Sequence, residues 1–253
     1  VMGSKNLKAI AARGTKAPPV ADQDGVRGLA RWMVQNWKSK SLGMHELGTN
    51  GGLEGLSEGG RLPTRNFQDG RFEGAAEIGG QALRDKITID MGGCYACPIN
   101  CKRVCEVDDD DYKVDPEYGG PEYETVGSFG SNCGIDDIRA VAAANELCNA
   151  YALDTISTGM MVSFAMECYE NGLLTKEDTG GLDLSFGQPK AMVELTRLIC
   201  EREGILRKQI AELRKQAQDE ILKLLTPAQR KKYEDMVGET FEFQRQEFRP
   251  GDR

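Results

Sequence analysis

Three cysteines in one short run, Cys94, Cys97 and Cys101 of GGCYACPINC, constrain this chain more than any other feature. C-x2-C-x3-C spacing lets three thiolates converge from one loop on a compact inorganic core, with the glycines before and the proline within bending the backbone around it. That is how a protein holds an iron–sulfur cluster. The spacing also suits zinc, but a structural zinc site normally closes with a second Cys or His pair, and the sole histidine, His45, lies far upstream. Buried or disulfide-forming cysteines are the third reading. A four-iron cubane needs a fourth protein ligand, for which Cys105 is the nearest candidate and Cys133, Cys148, Cys168 and Cys200 are the others. Free cysteine mostly packs as a small hydrophobe, so these five read first as core.

Eight cysteines in 253 residues are too few for a disulfide scaffold, which points to a reducing cytoplasm. A net charge of −8 disfavours nucleic acid as a partner. No stretch approaches the roughly 18 apolar residues of a membrane span, and Val1 opens no charged-then-apolar signal segment. With 40% hydrophobic residues the chain can build one large domain or two small ones.

Leu7 to Ala12 reads as a strand, and Pro18-Pro19 as part of a polar linker. A helix is expected from about Asp22 to Ser41, with Val26, Leu29, Trp32, Met33 and Trp37 at helical spacing. In the glycine-rich stretch that follows, LPTRNF (62–67) is the one dense cluster, and its Arg65 reads as an anion ligand or an ion-pair partner. A short helix near Phe72 to Lys86 leads into the cysteine loop. The acidic run 108–111 is most simply a solvated turn, since the glycine and ligand alternation of an EF-hand are missing.

In GGPEYET (119–125) the glycines and proline argue against helix, and in extended backbone Glu122 and Glu124 point to the same side, as a pair suited to acid–base chemistry. Asp136 or Asp137 then caps a helix running roughly through Ala150. Ser157 or Thr158 caps another that stops at Asn171-Gly172. The junction ALDTISTG between them is rich in side-chain oxygens.

The opening VMGSKNLKAI, the LPTRNF cluster, the cysteine loop, GPEYET and ALDTISTG resemble, in this order, the tungsten-dependent aldehyde ferredoxin oxidoreductases over about residues 1–205. The resemblance implies a mainly α fold and a tungsten-bis-pterin, with molybdenum as the alternative metal. It also implies an aldehyde substrate oxidised to a carboxylate, and a [4Fe–4S] cluster that passes electrons to ferredoxin. Carried over by position, it makes Cys94, Cys97 and Cys101 three of the four cluster ligands and Glu124 the active-site glutamate. Asn149, Leu153 and Asp154 fall in a pterin-binding motif whose usual form is D-x-x-G-L-D. Here the motif reads NAYALD, with Ala152 in the glycine position, so Asp154 is the firmer assignment.

The expected organisation is a remnant of the family's N-terminal β domain (1–14), a helical iron–sulfur and pterin-binding domain (15–205), and an amphipathic helical tail of different origin (206–253). In that tail Leu206, Ile210, Leu213, Ala217, Ile221 and Leu224 recur at 3–4 residue intervals. Thr226 to Gln229 forms a capping box, and LTPAQRKKYEDMVG is similar to the LT-x-x-Q helices of envelope stress proteins. No counterpart of the family's fourth cluster cysteine or second pterin motif is found. The chain thus reads as a fragment of such an oxidoreductase, acting as a homo-oligomer or with a companion chain. The competing reading is a non-catalytic helical interaction protein with vestigial redox motifs.

Overall fold

A computed structural model describes residues 5, 7, 9–16, 18–202, 222–223, 225–227, 229 and 231. Helices dominate: α1 (Gln23–Leu47), α2 (Leu53–Glu58), α3 (Ala75–Ile78), α4 (Gly80–Lys86), α5 (Tyr123–Phe129), α6 (Ile138–Ala150), α7 (Thr155–Glu170) and α8 (Pro189–Cys200). Three short 3-10 turns (Gly48–Gly52, Pro116–Tyr118 and Ser131–Cys133) and two small antiparallel hairpins complete the described elements. One joins β1 (Thr88–Gly92) to β2 (Lys102–Cys105), and the other joins β3 (Val107–Asp108) to β4 (Lys113–Val114). The fold is mainly α, as the sequence implied.

The short helix α5 is central: Thr125, Val126, Gly127, Ser128 and Phe129 are all buried, and its two buried hydroxyls are satisfied, Thr125 by Thr155 and Ser128 by the Glu124 carbonyl. It packs in parallel with α7. The Thr125 and Thr155 hydroxyls meet at 2.8 Å, and three or four residues further along both helices Gly159 lies against Ser128. A Cβ on Gly159 would stand 2.6 Å from the Ser128 Cβ and 2.9 Å from its carbonyl carbon. Helix α6 closes the other side with Ala140, Val141, Ala142, Ala143 and Ala144 buried, small side chains that permit close approach. A single core joins Leu53, Leu62, Ile78 and Leu83 to Val126, Phe129, Ile138, Val141, Met166 and Met192.

Several expectations are corrected. Leu7 and residues 9–12 form no strand; they find no ladder partner, and Ile10 is exposed. The expected helix over Phe72–Lys86 is split into α3 and α4 at the extended Gly79. Helix α7 begins at Thr155, capped by Asp154, whose carboxylate accepts from the Ser157 amide at 2.7 Å. Ser157 and Thr158 therefore lie inside the first turn. Asp137 caps α6, and the acidic run forms the β3–β4 turn, where Asp109 accepts from the Asp111 and Tyr112 amides. Helix α1 is longer than expected, kinks at Ser41 and buries none of its residues, leaving Val26, Leu29 and Trp32 exposed.

LPTRNF folds as a left-handed turn: Arg65, Asn66 and Phe67 have φ of 47°, 51° and 65°. Left-handed backbone costs roughly 1–2 kcal/mol per L-residue, and tertiary hydrogen bonds offset it. The amides of Arg65 and Asn66 donate to the Ser131 and Asn132 carbonyls, and that of Phe67 to the Asn132 side chain. Asn66 also bonds Glu167 and Ser163 of α7. Arg65 pairs with Glu73 and holds that carboxylate below its usual range.

Most of the expected amphipathic tail, residues 206–221, 224, 228, 230 and 232–253, lies outside the described residues. The capping box is described: the Gln229 side chain accepts from the Thr226 amide at 3.0 Å, and the Gln229 amide reaches the Thr226 hydroxyl at 3.4 Å.

Because the atoms facing Gly159 include backbone, Gly159→Ala should destabilise the chain by about 1–3 kcal/mol. Urea unfolding should show a lower midpoint at an unchanged slope.

Candidate cluster and pterin site

The cysteine run forms the tip of the β1–β2 hairpin. Register pairs Gly92 with Lys102 at the loop end and Thr88 with Cys105 at the root. The Cys97 amide donates to the Cys94 carbonyl at 3.1 Å, and Ala96 and Asn100 take positive φ to turn the chain. Gly93 is needed there, since a Cβ would fall 2.1 Å from the Asn100 side-chain oxygen. Cys94 is exposed, and Cys97 and Cys101 are partly buried; all three are free thiols. Among the described residues no three His, Cys, Asp or Glu side chains are gathered closely enough to hold a metal ion. The loop therefore keeps the three cysteines close along the chain without gathering their sulfurs.

Two side chains grip this loop from below. His45, remote in sequence, shares a 2.6 Å hydrogen bond between its Nδ1 and the Ile99 carbonyl, and its ring meets Trp37 edge-on. Arg103 on β2 donates through Nη1 to the Cys101 carbonyl at 3.1 Å and to the Met91 sulfur at 2.9 Å. Arg103 is only 4% exposed, and its Nε and Nη2 have no hydrogen-bond partner. Burial lowers its affinity for a proton. Gly48 makes room for it, since a Cβ there would meet Nη2 at 3.1 Å. The sequence signal for Arg103 was its place two residues after the third cysteine; nothing marked it as buried.

Cys105, the nearest candidate for a fourth ligand, lies apart from the loop. It lies at the hairpin root, three strand residues or roughly 10 Å from the loop end, with its side chain fully buried against Gly120. Burial pushes its thiol up to about 11. Cys133 is likewise sealed in the core, and Cys148 on α6 and Cys200 on α8 are both buried.

From the hairpin a continuous run of contacts leads to the other motifs. The Arg103 carbonyl accepts from the Gly120 amide at 2.8 Å. Pro121 accepts from Asn50, and Glu122 accepts from the Thr49 hydroxyl, which in turn accepts from the Tyr123 amide. Glu122 and Glu124 are not an extended pair: Glu122 is the N-cap of α5 and Glu124 its second residue, so their side chains diverge around the helix start. Glu124 is exposed and its carboxylate makes no hydrogen bond among the described residues. The next residue, Thr125, bonds Thr155, the neighbour of Asp154. Asn149 donates to the Tyr118 carbonyl at 3.2 Å, and Leu153 packs against the core. Ala152 has φ 55°, the conformation that a glycine adopts without cost. The Ser157 hydroxyl, then its amide, hold Asp154 below the usual carboxylate range.

A cysteine hairpin thus lies beside the uncapped start of α5 and the Asp154-capped start of α7, and comparison with known proteins places the chain in a family. The family described as aldehyde ferredoxin oxidoreductase, domains 2 and 3, matches residues 28–232, a range that continues past Ile205. The tungsten-containing aldehyde ferredoxin oxidoreductase of Thermococcus kodakarensis is 41% identical over 186 residues, 71% of this chain and 29% of that protein. The enzyme of the same name from Pyrococcus abyssi is 39% identical over 213 residues, 81% and 34% of the two chains. An aliphatic sulfonate oxidoreductase, WOR-like subunit, of Pyrococcus furiosus is 35% identical over 212 residues, 81% of this chain and 33% of that one. Among solved structures, the BamBC active-site complex of benzoyl coenzyme A reductase superposes with a TM-score of 0.55 at 19% identity, over 80% of this chain and 32% of that one, a likeness of fold alone. The chain belongs to the aldehyde ferredoxin oxidoreductase family. It spans about a third of the length of the curated relatives it matches. No helix among the described residues is long and apolar enough to cross a membrane.

Two predictions test the Asn149–Asp154 junction. Ala152→Gly should raise stability by up to about 1 kcal/mol in chemical unfolding, because it removes left-handed strain from the folded state. The depressed Asp154 carboxylate adds stability that is fully present above its ordinary value of 3.8 and is lost as pH falls through the lower folded value. Asp154→Asn keeps a capping oxygen and removes this acid-dependent contribution, so its unfolding curve should be flatter between pH 5 and pH 2 (about the range in which such carboxylates titrate).

Proposed function

We propose that this chain is the iron–sulfur and pterin-contacting part of a tungsten-dependent oxidoreductase, with molybdenum as the alternative metal, that converts aldehydes to carboxylic acids and delivers electrons to ferredoxin. The observation that carries the proposal is the unbroken line of contacts from the cysteine hairpin through Gly120 to Glu124 and from Thr125 to the Asp154 cap. Three motifs separated in sequence thereby share one region.

Cys94, Cys97 and Cys101 offer three soft thiolates on one loop, a donor set that fits an iron–sulfur cluster. The buried, half-unpartnered Arg103 beside it fits a neighbouring anion. Asn149, Leu153 and Asp154 are the pterin-side residues. When bound, the metallopterin and the cluster supply the redox chemistry, taking two electrons from the aldehyde and relaying them singly. An aldehyde and a water give a carboxylate, three protons and those two electrons, so the protein must move protons. Glu124 is placed to take one: it is exposed, free of hydrogen bonds to protein, and fixed on the rigid start of α5. Glu122, held by Thr49, is not available for that task.

Anaerobic reconstitution should load about four iron and four sulfide per chain. Because three ligands are local and Cys105 is out of reach, mild oxidation should yield a [3Fe–4S] EPR signal. A folded chain that stays iron-free would overturn the proposal and favour a helical interaction protein, for which the uncovered Val26, Leu29 and Trp32 stripe of α1 is the supporting observation. The 253-residue chain alone is not expected to oxidise aldehydes with a viologen acceptor. If turnover accompanies stoichiometric tungsten, Glu124→Gln should abolish it and Glu122→Gln should not.

A further inference from the structure

A guanidinium as deeply buried as that of Arg103 should be paired. Removing such a charge from water costs several kcal/mol unless an opposite charge or a full set of acceptors compensates. Here only Nη1 is satisfied, by the Cys101 carbonyl and the Met91 sulfur. Nε and Nη2 are buried without acceptors, and no carboxylate lies within ion-pair distance of the side chain among the described residues. Glu122 attracts it from further away but is committed to Thr49. Cys105 is close, yet its thiol is neutral at physiological pH and gives no countercharge. The groups that lie against its head offer nothing further: Gly48 stands beside Nη2, and Met91 and the Cys101 carbonyl already bond Nη1.

We infer that Arg103 is the positioning residue of the cluster, its unpartnered Nε and Nη2 donating to the thiolate and sulfide sulfurs held by the cysteine loop. This rests on the cluster reading above and adds a function for a residue outside the ligand set. A cluster with thiolate ligands is a polyanion, and its reduction potential depends on net charge and on hydrogen bonds to its sulfurs. A fixed cation donating to those sulfurs stabilises the reduced, more negative state. Arg103 thereby raises the potential, while Nη1 holds the Cys101 carbonyl and so the third ligand in place. The free edge of the guanidinium supplies two donors from a rigid plane, which a lysine ammonium does not reproduce.

The test uses the full 253-residue chain, reconstituted anaerobically with ferrous iron and sulfide, and reads the cluster potential by EPR-monitored redox titration. Arg103→Gln should bind iron and shift the potential downward, so that at a fixed ambient potential the reduced-to-oxidised ratio falls about tenfold, or about 59 mV for one electron. Arg103→Lys, which keeps the charge and loses the fork, should fall between the two. An unchanged potential in loaded Arg103→Gln would overturn the inference while leaving the cluster reading intact; a wild-type chain that takes up no iron would overturn both. Should Arg103→Gln fail to fold, wild-type chain labelled with 15N-arginine decides without it. Pulsed EPR of the paramagnetic cluster should detect an arginine nitrogen coupling that Arg103→Lys abolishes, and absence of that coupling would show that Nε and Nη2 are satisfied by buried water and not by the cluster.

Discussion

The contact between α5 and α7 at Ser128 and Gly159 sets the spacing on which the rest depends. A glycine at that point lets two backbones approach more closely than any side chain would allow, and the Thr125–Thr155 hydrogen bond fixes the relative slide of the helices. Because they run in parallel, both N-termini emerge at the same end. The residues that precede or open them, Glu122 and Glu124 on one and Asp154 on the other, are neighbours for that reason. Asn132 follows α5 and bonds Ser163 of α7 at 2.9 Å, so the same pair of helices also anchors the left-handed turn at Arg65–Phe67.

Much of this was legible from local signals. The C-x2-C-x3-C spacing, the Asp137 cap, the Asn171-Gly172 stop and the Thr226–Gln229 box involve residues a few positions apart, where sequence and geometry are tightly linked. The misreadings have local causes as well. Asp154 was treated as a ligand-side residue while Ser157 and Thr158 were given its capping role, although all three are good caps and only the position of the first helical turn decides between them. GGPEYET looked extended because of its glycines and proline, but both sit before the helix, where they suit a turn and an N-terminus. The strands flanking the cysteines carry a weak signal: Thr88-Ile89-Asp90-Met91 alternates in sequence but Ile89 is exposed, and in Lys102-Arg103-Val104-Cys105 the burial alternates while the sequence does not.

Contacts across long sequence separations were not legible. His45 in the last turn of α1 meets Ile99, while Gly48 meets Arg103 and Thr49 meets Glu122 from the following 3-10 turn (Gly48–Gly52), none of which carries a motif. Distance along the chain was used to set His45 apart from the cysteines, whereas the fold brings it to their loop. The left-handed backbone of LPTRNF was equally hidden, since Arg and Phe have no preference for it and only the acceptors at Ser131 and Asn132 hold it there.

The position of the cysteine loop at the tip of a hairpin has a consequence for how the cofactor arrives. None of Cys94, Cys97 and Cys101 belongs to the hydrophobic core, whose members lie in the helices and the roots of the strands. Burial of that core supplies the folding free energy, so the helical body does not need metal to hold together, unlike a zinc finger. If the loop holds a cluster as proposed, a carrier would meet a chain that is already folded, with Cys94 the most exposed of the three thiols. Loss of such a cluster to oxygen would then leave a structured apoprotein that could be refilled without being unfolded.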